Sequence, residues 1–157
     1  MKSGSVEQFD LAEPVSEQAV AAYYDECEVD YRWFWHLDRC LAIHYGYWDQ
    51  GVYTLRQALA RMNEVLAARS AVEGGERVLD AGCGVGGSAI FLARRLGCQV
   101  TGLTLSEAQV KSARANADER GVRQLCSFRR MNYADTDFGD SSFDRIWFLE
   151  SLCQAND

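Results

Sequence analysis

Arg77-Val78-Leu79-Asp80-Ala81-Gly82-Cys83-Gly84-Val85-Gly86-Gly87 reads as a short buried strand that breaks into a glycine-dense turn. Val78 and Leu79 supply an apolar strand end with β-favouring character. Gly82, Gly84, Gly86 and Gly87 give a backbone that takes positive φ and approaches a ligand without interference from Cβ atoms. Ser88 then opens a helix, so backbone N–H groups and the positive end of the helix dipole face the turn. Such a turn is by default a nucleotide or nucleoside site.

The same letters satisfy two spacings. Gly82-x-Gly84-x-x-Gly87 is a dinucleotide fingerprint, whereas Asp80-x-Gly82-x-Gly84-x-Gly86 is a tighter pattern with an acid inside the strand end. The dinucleotide reading requires an Asp or Glu at the end of the next strand to hold the ribose. That strand ends Val100-Thr101-Gly102-Leu103-Thr104-Leu105 and carries no acid, so the second spacing is favoured.

Outward from the turn, the chain divides into a helical preface and an α/β alternation. In the preface, Ser16 is a candidate N-cap for an amphipathic helix with Val20, Tyr23, Tyr24 and Cys27 at helical spacing. Tyr31-Arg32-Trp33-Phe34-Trp35-His36 is an aromatic run, read as core or a helix docking face, or else as a lid. Ile43-His44-Tyr45-Gly46-Tyr47-Trp48-Asp49 places a glycine in an aromatic cluster and suits an irregular loop. His36 and His44 are the only histidines. Without partners at ligand spacing, each reads as a structural or hydrogen-bonding residue, and no metal site is expected.

Leu55, Leu59, Met62 and Leu66 predict an amphipathic helix from Thr54, ended by the Gly74-Gly75 pair. A strand over 76–81, a helix over 88–96 closed by Gly97 and a strand over 98–103 follow. Ser106 and Gln109 fit a capping box for a helix that Gly121 stops. Strands over 125–131 and 143–149 flank the acidic loop 135–140. This succession predicts an α/β fold, a Rossmann-like parallel sheet with a helical N-terminal cap, and a ligand at the carboxyl ends of the strands.

Composition narrows the partners. A formal charge of −7 argues against a general affinity for nucleic acid or anionic membranes. Six scattered cysteines without a CxxC pair read as reduced thiols, and no secretory or spanning segment is seen; the expected setting is cytoplasmic, without stable membrane insertion.

The Asp80-to-Gly86 segment resembles the first motif of class I S-adenosylmethionine-dependent methyltransferases. Val100-Thr-Gly-Leu-Thr104-Leu105-Ser-Glu-Ala-Gln109 is similar to the second-strand run of the cyclopropane-fatty-acid synthase, sterol and tocopherol methyltransferase branch, in which Thr and Gln replace the ribose-binding acid. His44-Tyr-Gly-Tyr47-Trp48 resembles that branch's aromatic segment before the first motif. Ser142-Phe143-Asp144 and Glu150-Ser151 resemble its fourth-strand motif.

The resemblance implies S-adenosylmethionine as cofactor and the N-terminal part of a seven-stranded sheet. It divides the chain into a helical cap and aromatic lid over 1–72 and a cofactor-binding core over 73–157, incomplete at its C-terminus. By resemblance, Asp80, Gly82 and Gly84 serve the methionine and ribose portion, and Cys83, Gly86 and Leu105 belong to the same cofactor site. Thr104 and Gln109 lie at the ribose, Asn132 and Tyr133 at the adenine, and Tyr47 and Trp48 at the methionine end. An Asp is usual where Asn132 stands, and a His is frequent where Gln154 stands.

Glu150 is the candidate catalytic base, against a reading as a salt-bridged or methionine-orienting carboxylate. The expected function is methyl transfer to a small-molecule or lipid-like acceptor. The alternatives are a non-catalytic S-adenosylmethionine-binding module or fragment and, less favoured, an NAD-dependent oxidoreductase. A sheet ending near residue 149 leaves an apolar edge, so the chain is expected to be a portion of a longer enzyme, or to be completed by a partner chain or a second copy.

Overall fold

The computed structural model describes residues 16–34 and 37–152. Helices α1 (Glu17–Phe34), α2 (Leu37–Cys40) and α3 (Leu55–Arg69) precede β1 (Arg77–Ala81), α4 (Gly87–Leu96), β2 (Gln99–Thr104), α5 (Glu107–Glu119), β3 (Cys126–Arg130) and β4 (Arg145–Trp147). Ser16 caps α1, its hydroxyl accepting from the Ala19 N–H at 3.2 Å. The aromatic run from Tyr31 to Phe34 continues that helix; Trp35 and His36 lie outside the described residues.

The four strands are all parallel, in the order β3-β2-β1-β4. Consecutive parallel strands need crossovers, and α4 and α5 supply the first two. The segment from β3 to β4 contains turns and no helix. Because all strands run the same way, Ala81, Thr104, Arg130 and Trp147 end on one edge. One apolar cluster fills the interior, drawing Val78, Ile90, Leu92, Val100, Val110 and Phe128 from the α/β part and Leu41 and Ala67 from the preface.

Three local expectations are corrected. Helix α3 stops at Arg69, before the Gly74-Gly75 pair. Ala71 takes the left-handed conformation (φ 48°) that glycine usually fills, and Val72 N–H returns to the Ala67 carbonyl at 3.2 Å. Val72 packs on the core cluster, and that apolar contact accompanies this kind of helix ending. The buried stripe of α3 is Ala58, Leu59, Asn63 and Ala67, one step round from the leucine pattern, and Leu55 is exposed.

At α5 only half a capping box forms. Ser106 Oγ accepts from Gln109 N–H at 3.1 Å, but the Gln109 side chain is engaged by Thr104. The complete box is at α3, where Thr54 Oγ1 accepts from Gln57 N–H and Gln57 Oε1 accepts from Thr54 N–H at 3.0 Å. Helices α4 and α5 end as expected at Gly97 and Gly121, both at φ 70°.

Candidate functional site

The glycine turn follows β1 and opens α4. Gly86 is the N-cap of α4, left-handed at φ 89°, with no side-chain capping bond. Gly82 is left-handed at φ 92°, and a Cβ there would collide with the Ser151 side chain. A Cβ on Gly87 would strike the Leu41 carbonyl oxygen, so the preface leans directly on the start of α4. The turn is also tied from behind, by Asn116 Nδ2 donating to the Val85 carbonyl at 3.0 Å.

A cavity of about 450 Å³ opens at the carboxyl ends of the strands, within the usual size of small-molecule sites. Asp80, Gly82, Cys83, Gly84, Thr104, Leu105, Gln109, Asn132, Tyr133 and Glu150 all border it. Parallel strands account for this: each donor element delivers its residues just past a strand end. Gly86 is not in the wall. Its α-carbon faces Phe128 and Ala113.

Tyr47 and Trp48 also stand away from the wall. Tyr47 N–H donates to the Ala58 carbonyl at 2.9 Å and Gly46 packs against Ala58, so the loop turns onto α3 after Tyr45, and Trp48 is exposed. The aromatic segment reaches the cavity through His44 and Tyr45 instead. The point at which the loop turns onto α3 carries no sequence signal, which is why the motif pointed to its tyrosine and tryptophan.

Asp80 is 2% exposed. It accepts from the Ala89 N–H of α4, and burial raises its pKa to about 7. Its Oδ2 has no hydrogen-bond partner among the described residues. A buried, incompletely satisfied carboxyl beside a cavity is costly, and a cationic group placed there offsets the cost. The Cys83 thiol is buried beside it and is held well above the usual range by burial first and by Asp80 second, so it is an inert, packed thiol.

Thr104 Oγ1 donates to Gln109 Oε1 at 2.5 Å and accepts from Ser106 N–H at 3.3 Å. All three side chains are buried. Opposite them, Asn132 Oδ1 accepts from Ala134 N–H at 2.8 Å, and Nδ2 donates to Glu17 of α1 at 2.7 Å. Tyr133 O–H donates to the Ser151 carbonyl at 2.9 Å, and its ring meets Phe148 edge to face. The Ser151 hydroxyl donates to the Ala81 carbonyl, holding the segment after β4 over the glycine turn. Gln154 lies outside the described residues.

Glu150 adopts a left-handed backbone, φ 56°. Its two oxygens lie 3.0 and 3.1 Å from the Tyr45 nitrogen, accepting from that N–H. His44, which the sequence reading treated as structural, is buried in the cavity wall with Nδ1 2.8 Å from the Tyr45 carbonyl. Its burial was not legible, because a lone histidine in an aromatic loop has no periodicity to place it. Among the described residues no group of three or more metal-ligating side chains converges.

An acid inside the first strand, a glycine turn at its end and a Thr–Gln pair after the second strand of a parallel sheet define the class I S-adenosylmethionine-dependent methyltransferase fold. The family model described as mycolic acid cyclopropane synthetase matches residues 13–153, and the chain belongs to that family. It is 39% identical over 117 residues to methyltransferase GfsG of Streptomyces halstedii, covering 73% of this chain and 42% of GfsG.

Among solved structures, the [4+2]-cyclase SpnF superposes with a TM-score of 0.77 at 34% identity, over 85% of this chain and 48% of SpnF. Geranyl diphosphate C-methyltransferase of Streptomyces coelicolor A3(2), solved with Mg2+, geranyl diphosphate and S-adenosyl-L-homocysteine, gives 0.74 at 25% identity, over 90% of this chain and 57% of that one. The chain thus spans about half the length of the relatives it matches.

Proposed function

We propose that this chain is the cofactor-binding portion of an enzyme that transfers a methyl group from S-adenosylmethionine to a small-molecule or lipid-like acceptor. The single observation that carries the reading is Asp80, a buried carboxyl on a cavity bordered by a glycine turn, whose Oδ2 has no partner among the described residues. A ligand with a cationic methionine portion and an uncharged nucleoside meets both needs: charge for Asp80, and close backbone approach at Gly82 and Gly84.

In this reading Thr104, Leu105 and Gln109 hold the ribose, Asn132 and Tyr133 border the adenine, and Asp80, Cys83 and the glycine backbone border the methionine portion. Gly86 keeps a structural share of that task by starting α4. Tyr47 and Trp48 act through the loop they anchor on α3. The cofactor supplies an electrophilic methyl group. The chain's contribution is to hold donor and acceptor in register and to keep water out, which accounts for much of the acceleration in displacement reactions.

The relatives support methyl transfer in general and leave the acceptor open: GfsG is a methyltransferase and the S. coelicolor enzyme methylates carbon of geranyl diphosphate. The second reading is a chain that binds the cofactor without methyl transfer; SpnF, a relative of the same fold, is named as a [4+2]-cyclase and not as a methyltransferase. The proposed setting is cytoplasmic; no helix among the described residues is long and apolar enough to cross a membrane. An additional segment or a second copy against β4 is the proposed partner, since Ile146 on that strand is exposed.

The test is calorimetric titration of the chain with S-adenosylmethionine, S-adenosylhomocysteine and NAD, alongside mass in solution. Binding of the first two and not the third is the expected result. Preference for NAD overturns the reading, and binding without transfer of a labelled methyl group by the full-length enzyme favours the second reading.

A further inference from the structure

Two buried side chains in the cavity wall carry an atom with no partner among the described residues, Asp80 at Oδ2 and His44 at Nε2. Asp80 is accounted for by the cofactor. His44 is 9% exposed, and its state follows from its neighbour. Nδ1 lies 2.8 Å from the Tyr45 carbonyl oxygen. A carbonyl only accepts, so Nδ1 carries the proton and the enclosed Nε2 keeps a bare lone pair with no partner among the described residues. Burial holds the imidazole below its ordinary pKa, opposed by the Tyr45 hydrogen bond and the Glu150 charge, so the ring is neutral at pH 7.

The ring is also oriented. The backbone of Tyr45 is held on both sides, at its carbonyl by His44 Nδ1 and at its N–H by both oxygens of Glu150. A buried lone pair without a donor costs free energy; one held in a fixed tautomer at a cavity wall is the arrangement a general base requires. We propose that His44 Nε2 receives the proton that the methyl acceptor loses, with Glu150 as the positioning residue.

The proposal rests on the methyl-transfer reading, and its step is written for a hydroxyl or amine acceptor. The acceptor's O–H or N–H bond breaks, its proton forms a new N–H bond at Nε2, and the oxygen or nitrogen keeps the electron pair that bonds to the methyl carbon. The carbon–sulfur pair stays on sulfur. The imidazolium then returns its Nε2 proton to water, restoring the starting tautomer.

The experiment is nitrogen NMR of the chain labelled with 15N-imidazole, in which His36→Gln assigns the two histidines. The ligand-free chain is expected to show Nδ1 protonated and Nε2 bare at pH 7.5. With S-adenosylhomocysteine present, phenol should move the Nε2 resonance saturably toward the hydrogen-bonded range. Anisole, which has no proton to donate, should leave it in place.

Glu150→Gln should keep the chain folded but mix the tautomers and weaken the phenol response. A protonated Nε2, or an Nε2 resonance unmoved by phenol while S-adenosylhomocysteine binds, overturns the proposal and returns the role of base to Glu150. Failure of S-adenosylhomocysteine to bind, read by calorimetry on the same sample, overturns the methyl-transfer reading itself.

Discussion

Both carboxylate oxygens of Glu150 close on the backbone N–H of Tyr45, at 3.0 and 3.1 Å, across 105 positions of sequence. This bond straps the aromatic loop of the preface to the end of the fourth strand and so sets one wall of the cavity.

Removing the strap should loosen that wall and little else. A charge-assisted bond at an exposed site contributes at most about 1 kcal/mol. Glu150→Ala should therefore speed hydrogen exchange of the Tyr45 amide up to roughly fivefold, while amides of β1 exchange as before. Unchanged exchange at Tyr45 would show that the strap contributes nothing.

Asp80 sets a pH dependence. Its folded pKa, about 7, lies above the ordinary 3.8 because burial penalises the charge. A raised pKa gives stability that is fully present below pH 3.8 and is lost as pH rises through 7. The melting temperature of the ligand-free chain should carry a falling component across that window, absent in Asp80→Asn. Affinity for S-adenosylmethionine should move the opposite way, strengthening from pH 6 to 8 as the carboxylate forms. A pH-independent affinity in calorimetry would argue against a cation at Asp80.

Gly82→Ala combines two costs. The residue stands at φ 92°, where an L side chain is strained by about 1–3 kcal/mol, and its Cβ would meet Ser151. Chemical denaturation should show a loss at the upper end of that range. The double variant with Ser151→Gly should recover only the part due to collision. Full recovery would mean that the backbone strain is negligible.

Thr104→Val tests the buried pair at the end of β2. It removes the donor to Gln109 Oε1 and the acceptor for Ser106 N–H. Leaving buried polar groups without partners costs about 1–3 kcal/mol. Denaturation midpoints should fall accordingly, and affinity for S-adenosylhomocysteine should weaken along with them. Thr104→Ser, which keeps the hydroxyl, should retain most of both.

Much of the fold was legible because its signals are local. Gly97 and Gly121 end helices by adopting a conformation that only glycine takes freely, and the apolar strand ends at Val78 and Val100 announce a buried parallel sheet. Ala71 shows the limit of such reasoning. It ends α3 in a glycine-like conformation because Val72 packs on the core, a contact that no composition rule near Gly74-Gly75 reveals.

The sequence by itself determined the glycine turn, the acid within β1, the absence of a ribose-binding acid after β2 and, through the family resemblance these residues carry, the kind of ligand. These are properties of neighbouring residues, set by backbone freedom and side-chain chemistry. Only the tertiary structure decided that His44 and Tyr45, and not Tyr47 and Trp48, reach the cavity. It also decided that Gln109 answers Thr104 before its own helix cap, and that Glu150 grips a peptide N–H. Those choices depend on which surfaces α3 and β4 present to the loop, and packing between distant segments is not written in local spacing.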